Sequence, residues 1–315
     1  MKTTEENLMH RILIAPTTFG TISNEPIKRL KNANCQLVFN SYKSRLNQNQ
    51  LVNLASDCDG IIAGTEEYNK DVIKKLKKLK IISRLGVGID NIDIKATKHQ
   101  KIKLLVTQSS PSRSVAELAM GLILNILRKI STSDRNIRLG KWDKKMGNLL
   151  SFKSLGIIGL GKVGKELVKL LSSFGVKIFV YDKKCDEVFC KKYKCQKVSL
   201  NKLLSNSDII SIHINSTNKT KAIFDKKTFA MMKKNAILIN TSRGSLINEE
   251  DLRKALKNKQ IRGAALDVFN EEPYRGKLSN LDNILLTPHI GSYAEEIRLQ
   301  MELESVENLI KNLTK

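Results

Sequence analysis

The 315-residue sequence predicts an α/β protein of two doubly wound parallel-sheet domains. Two observations carry this. Short apolar runs alternate with amphipathic helical patterns through the first hundred residues, and the same alternation restarts at Lys153 with six more evenly spaced runs. Strands separated by helices imply a parallel sheet, and a length near 300 allows about two domains.

In the first array, Arg11–Ala15 reads as a buried strand stopped by Pro16. Gln36–Phe39, Gly60–Ala63, Ile81–Leu85 and Lys103–Val106 follow as strands two to five. Between them, Asp71 to Leu79 places Val72, Ile73, Leu76 and Leu79 on one helical face and lysines on the other, a solvated face. Ser114-Val-Ala-Glu117 reads as a capping box opening a long helix to about Lys129. A polar stretch with Gly140, Trp142 and Gly147 comes next, with Trp142 expected in packing or a subunit contact. The second array reads as strands at Ser154–Ile158, Lys177–Tyr181, Asp208–Ile212, Ala236–Ile239, Gly263–Leu266 and Asn283–Leu286. The last 25 residues read as a helix packing back on the protein.

Gly159-Leu-Gly161-Lys162-Val163-Gly164 is a G-x-G-x-x-G placed between a strand and a helix, with Asp182 18 residues beyond the last glycine at the end of the next strand. That context indicates a dinucleotide site. The first glycine permits the tight turn, the second lets a pyrophosphate approach the backbone, and the third lets helix and strand pack closely. Free amides at the helix N-terminus suit the phosphates. Asp182 is expected to accept hydrogen bonds from the adenosine ribose and to repel a 2′-phosphate, which favours NAD over NADP; Lys183 and Lys184 soften that preference.

Composition bounds the function. Lys+Arg 55 against Asp+Glu 31 gives a net charge of +24, which favours anionic partners. Of those cations 42 are Lys and 13 Arg, and aromatics are 5%, a poor match to base readout or a stacking platform, so no nucleic-acid partner is expected. No apolar run reaches about 18 residues, so no membrane span is expected. Met1 to His10 is polar and carries no secretory signal pattern, and five cysteines do not form a disulfide framework; a cytoplasmic protein is expected. Cys185, Cys190 and Cys195 recur every five residues, not a zinc spacing, and read as free thiols. The four histidines (10, 99, 213, 289) form no ligand motif, so no metal is expected.

Three ionisable residues lie just past strand ends of the second array: Arg243, Glu272 and His289. Ligands of open α/β sheets bind outside those carboxyl ends, so the three are candidates to converge on a nicotinamide.

With these residues in view, the chain closely resembles the D-isomer-specific 2-hydroxyacid dehydrogenases. The likeness rests on Arg84-Leu-Gly-Val-Gly-Ile-Asp-Asn-Ile-Asp93, Ser114–Ala119, Gly156–Gly164, Asn240-Thr-Ser-Arg-Gly244, Ala264–Phe269 with Glu272-Pro273, and Thr287-Pro-His-Ile-Gly291. Within the family it is most similar to short-type D-3-phosphoglycerate dehydrogenases. The resemblance implies a flavodoxin-like substrate domain at 1–104 and 292–315 and a Rossmann NAD-binding domain at 105–291, with a cleft that closes over the substrate. It implies His289 as acid/base, Glu272 as the partner that fixes its tautomer and keeps it a proton donor near neutral pH, and Arg243 as the carboxylate ligand. The amides of Val87 and Gly88, in the Gly86-Val87-Gly88 loop, would complete the carboxylate site. Asp267 would hold the nicotinamide carboxamide. Gly159, Gly161, Lys162, Val163, Gly164, Asp182, His213, Asn215, Thr220, Thr241 and Ser242 would line the cofactor. The implied partners are a small anionic substrate and a second copy of the chain, paired through the long helix and the segment around Trp142.

Some positions depart from the family pattern. Asn215 stands where a Pro is usual, and Gly64 where some phosphoglycerate dehydrogenases carry Arg; Arg84 and Arg113 are the substitutes for a phosphate ligand. Glu272, where formate dehydrogenases carry Gln, argues against that activity. The implied reaction is hydride transfer between NAD and a D-2-hydroxy acid, 3-phosphoglycerate first. The alternatives are a glyoxylate or hydroxypyruvate reductase and a non-catalytic NAD-sensing protein.

Overall fold

The computed structural model describes residues 9–217 and 219–313. Met1–Leu8, where most of the polar N-terminal reading falls, lie outside the described residues. The chain divides into two compact units, Met1–Pro111 with Tyr293–Lys315, and Ser112–Ser292.

The first unit holds five parallel strands: β1 (His10–Ile14), β2 (Cys35–Phe39), β3 (Gly60–Ala63), β4 (Ile81–Arg84) and β5 (Lys103–Val106). Their order is β2-β1-β3-β4-β5, the flavodoxin-like order. The helices between them are α1 (Glu25–Asn32), α2 (Gln48–Ala55), α3 (Lys70–Lys75) and α4 (Ile94–His99). Ile61 and Ile62 of β3 point to opposite faces, so one packs in each of the two layers of core. The boundary expected near 104 falls inside β5; the units part after Pro111. Helix α3 is shorter than its pattern. Leu76 leaves helical geometry (φ −87°, ψ 67°), yet Leu76 and Leu79 still reach the core.

The second unit begins with α5 (Ser112–Arg128), and its start corrects the capping-box reading. Ser114 lies within the helix and is buried, and Glu117 pairs instead with Arg113 one turn earlier, at 2.6 Å. Lys129 is left-handed (φ 58°) and breaks the helix, and the polar stretch after it opens with α6 (Ile130–Arg138). Seven parallel strands follow, one more than expected: β6 (Ser154–Ile158), β7 (Lys177–Tyr181), β8 (Cys195–Lys197), β9 (Ile209–Ile212), β10 (Ile237–Asn240), β11 (Gly263–Leu266) and β12 (Ile284–Leu286). The unpredicted strand is β8, three residues at the sheet edge that pair only with β7. The helices between the strands are α7 (Lys162–Ser172), α8 (Glu187–Lys192), α9 (Leu200–Asn206), α10 (Lys226–Met231) and α11 (Glu249–Lys257), and α12 (Glu295–Leu313) belongs to the first unit. The order β12-β11-β10-β9-β6-β7-β8 reverses direction between β6 and β9. That switch point opens a crevice at the strands' carboxyl ends, and the glycine loop leaves β6 there.

Candidate active site

The glycine loop assigns each glycine a distinct physical role. Gly159 has φ +96°, and a Cβ on it would lie 2.6 Å from the His213 carbonyl oxygen. Gly164, in the first turn of α7, has no room either: a Cβ would sit 2.2 Å from the Gly159 oxygen. Gly161 is the opposite case. It caps α7 in extended geometry, and a Cβ there meets nothing within 4 Å. The amides of Lys162, Val163 and Gly164 open the helix beside that empty space, as a pyrophosphate cradle requires. Asp182 ties this loop to the end of β7: its carboxylate accepts from the Leu160 amide at 2.6 Å and from the Lys184 amide at 2.7 Å. Two of its roughly four acceptor positions are thereby used and the others remain for hydroxyl donors.

Across the switch point, His213 follows β9. Its Nε2 meets the Ser211 hydroxyl at 2.9 Å, and its Nδ1 is shut away from solvent with no hydrogen-bond partner. Burial pushes its pKa down to about 4, so it is neutral at physiological pH. Thr220 closes the loop after it, donating to the Asn215 carbonyl at 2.9 Å and accepting from the Thr217 amide at 2.8 Å. Ser242 donates to the Ile212 carbonyl at 2.6 Å, and the Thr241 hydroxyl is buried with no hydrogen-bond partner.

Arg243, Glu272 and His289 follow the ends of β10, β11 and β12, and Glu272 and His289 are hydrogen-bonded to each other. Glu272 Oε2 lies 2.8 Å from His289 Nδ1, while Oε1 accepts from the Phe269 amide at 3.1 Å. The carboxylate is therefore anchored before it meets the imidazole, and Nε2 is the ring nitrogen left for proton transfer. Phe269 also stacks on Tyr274, with ring centroids 4.3 Å apart. The His289 turn is held from below. Asp267, 1% exposed, accepts from the Thr287 hydroxyl (2.6 Å) and from the amides of Ile290 (2.8 Å) and Gly291 (2.9 Å). Burial raises the Asp267 pKa, and those three donors oppose the rise. Three of its acceptor positions are used, so the expected contact with a carboxamide has one left.

The Arg243 turn is fixed by a residue that the sequence reading did not single out. Asn240, fully buried, donates to the Arg243 carbonyl at 2.9 Å and accepts from the Ser242 amide at 3.0 Å. The next residue, Gly244, packs so tightly that a Cβ would lie 1.9 Å from the Phe269 carbonyl carbon. The Arg243 and Glu272 segments are thus locked together by backbone contact. The available signal was a polar Asn closing the buried run Ile237-Leu-Ile.

On the first unit, Gly86 has φ +140°, and the Val87 side chain is exposed. Arg84 folds back over this loop: its Nη1 donates to the Leu85 carbonyl and would lie 2.8 Å from a Cβ on Gly86. Arg113, in α5, bridges Glu117 at 2.6 Å and Glu166 at 3.5 Å. Both arginines, the candidate phosphate ligands, thus already bond to groups of the protein. Among the described residues no cluster of His, Cys, Asp or Glu is placed to hold a metal ion, and no helix is long and apolar enough to cross a membrane.

The family model for the NAD-binding domain of D-isomer specific 2-hydroxyacid dehydrogenases matches residues 120–291. This chain belongs to that family. The D-3-phosphoglycerate dehydrogenase of Methanocaldococcus jannaschii is 41% identical over 257 residues, 80% of this chain and 49% of the relative. The hydroxypyruvate reductase of Thermotoga maritima is 38% identical over 275 residues, 85% of this chain and 89% of the relative. The chain therefore spans about half the length of the first 2-hydroxyacid dehydrogenase and most of the second. The crystal structure of the TT0316 protein from Thermus thermophilus superimposes with a TM-score of 0.86 at 28% identity, covering 96% of this chain and 97% of that one. The cofactor of the second unit is NAD.

Proposed function

We propose that this chain is an NAD-dependent oxidoreductase that interconverts D-2-hydroxy acids and 2-oxo acids, with D-3-phosphoglycerate and 3-phosphohydroxypyruvate as the first substrate pair to test. The observation that carries this is the Glu272–His289 pair at 2.8 Å, built on turns that Asp267, Asn240 and Gly244 hold in place.

NAD, when bound, would supply the hydride for reduction and accept it in oxidation. The amides after Gly161, with Lys162 and Val163, would hold its pyrophosphate, and Asp182 would accept from its ribose hydroxyls. His213, Asn215, Thr220, Thr241 and Ser242 would line the rest of its site. Arg243 binds the substrate carboxylate through its fork of donors. His289 Nε2 gives a proton to the ketone oxygen in reduction and takes it from the hydroxyl in oxidation. Glu272 accepts the Nδ1 proton throughout, which fixes the ring and stabilises its cationic form.

A second reading, reduction of hydroxypyruvate or glyoxylate without a phosphate, is favoured by the engagement of Arg84 and Arg113 within the protein. Steady-state NADH oxidation with the phosphorylated and unphosphorylated oxo acids separates the two. A clear kcat/KM preference for 3-phosphohydroxypyruvate supports the first reading, and equal or lower activity with it rejects that reading.

The partner is a second copy of this chain. Leu139, Trp142, Met146, Leu149 and Phe152 are 58–89% exposed within fourteen residues, an apolar surface that a monomer would leave in water. The five free cysteines fit a reducing, cytoplasmic compartment.

A further inference from the structure

Two of the five cysteines, Cys185 and Cys190, flank the first turn of α8, and the helix start explains why they touch. Asp186 is the N-cap, accepting from the Phe189 amide at 2.9 Å, and Lys165 holds its other oxygen at 2.5 Å. Cys185 is thereby the residue before the cap, and Cys190 the fourth residue of the helix. These are the positions that a hydrophobic staple brings together. Here both staple residues are thiols, with Sγ atoms 3.3 Å apart.

We propose that Cys185 and Cys190 form a paired oxidation site that peroxides convert to a disulfide, and that closing it weakens NAD binding. Cys185 is partly exposed and Cys190 buried, so Cys185 meets the oxidant. Burial and the neighbouring Cys185 sulfur hold the Cys190 thiol up at about 12, so Cys190 is not the thiol that attacks the peroxide first. In the first step the Cys185 sulfur takes an oxygen from ROOH, giving a sulfenic acid and ROH. In the second the Cys190 sulfur bonds to Cys185 and its proton leaves with the hydroxyl as water. Two thiols and one peroxide thus give one disulfide, one ROH and one water. Bond formation draws the sulfurs together by about 1.3 Å. The segment that must give is Asp182–Cys185, whose carboxylate joins the Lys184 and Leu160 amides. The effect on NAD rests on Asp182 as the ribose anchor; the disulfide itself does not.

The test uses the full chain treated with hydrogen peroxide, then N-ethylmaleimide and trypsin. Both cysteines lie between Lys184 and Lys191, so cleavage leaves them in one peptide. The expected result is that this peptide loses two hydrogens and escapes alkylation, while Cys35 and Cys58 are unchanged. The Kd for NADH, read by fluorescence, rises about fivefold or more. Dithiothreitol reverses both, and Cys185→Ser abolishes both. A Cys185 sulfinate with Cys190 still alkylated, or a link to Cys195, overturns the pairing. A disulfide formed with the Kd unmoved overturns the coupling, whereas reduced protein that does not bind NADH overturns the role given to Asp182.

Discussion

A methyl group added at Gly161 and one added at Gly164 are expected to damage different properties. At Gly161 the backbone is extended (φ −75°, ψ −163°), and the new carbon meets nothing within 4 Å. Alanine is a poorer N-cap than glycine by about 0.5–1 kcal/mol, and its stiffer unfolded chain returns about 0.4–1 kcal/mol, so the fold is nearly indifferent. The space it fills is the pyrophosphate's. Losing one charge-assisted hydrogen bond there costs about 1.5–3 kcal/mol, or roughly a 10- to 150-fold rise in Kd for NADH. At Gly164 the new carbon lies 2.2 Å from the Gly159 oxygen, and both are backbone-held. Such overpacking costs about 1–3 kcal/mol, and a domain of this size loses about 2–4 °C of Tm per kcal/mol, so a fall of roughly 2–12 °C is expected. Thermal unfolding with and without NADH, together with a fluorescence titration, measures both. If Gly161→Ala binds NADH like the wild type, or Gly164→Ala melts like it, the division of roles between the glycines is refuted.

Three further outcomes follow from the same geometry. His289→Gln should lower kcat by about 10²–10⁴-fold while NADH still binds, and Glu272→Gln should lower kcat by a smaller factor; NADH affinity lost along with kcat would mark these residues as structural instead. His213 is depressed to about 4 in the fold, so between that value and about 6.5 the unfolded chain binds a proton that the folded chain does not. Its contribution is complete above about 6.5 and is lost on acidification, by about 2 kcal/mol between pH 7.5 and 5.0. Urea titrations at those two pH values should show the loss, and His213→Gln should lose less; parallel behaviour would refute the burial argument. Phe152→Asp with Trp142→Ala should turn a dimer into a monomer in analytical ultracentrifugation, and a wild-type monomer would refute the interface.

Much of this architecture is legible because each central strand is four or five residues long and mostly apolar, a composition that a solvated element does not tolerate. What was hidden depends on partners distant in sequence. Cys195–Lys197 is polar and three residues long, and only its pairing with β7 makes it a strand. Helix α6 lacks a core face, since Ile130 and Ile137 are both exposed, so its periodicity gave no signal. Ser114 resembled a cap because the local spacing was right, but the chain had already turned helical at Ser112. At the site, the ionisable residues past the strand ends stood out by their chemistry. Asn240 and Gly244 act by bracing neighbours, and that role exists only once β10 and β11 lie side by side.

The most direct test of the central claim is NADH oxidation by the purified chain against 3-phosphohydroxypyruvate, hydroxypyruvate, glyoxylate and pyruvate, with the configuration of each chiral product determined. Turnover of at least one oxo acid to the D-hydroxy acid, abolished by His289→Gln, is the expected result. NADH binding without turnover of any oxo acid, or an L-product, would contradict the account and leave the chain a cofactor-binding protein or a different catalyst.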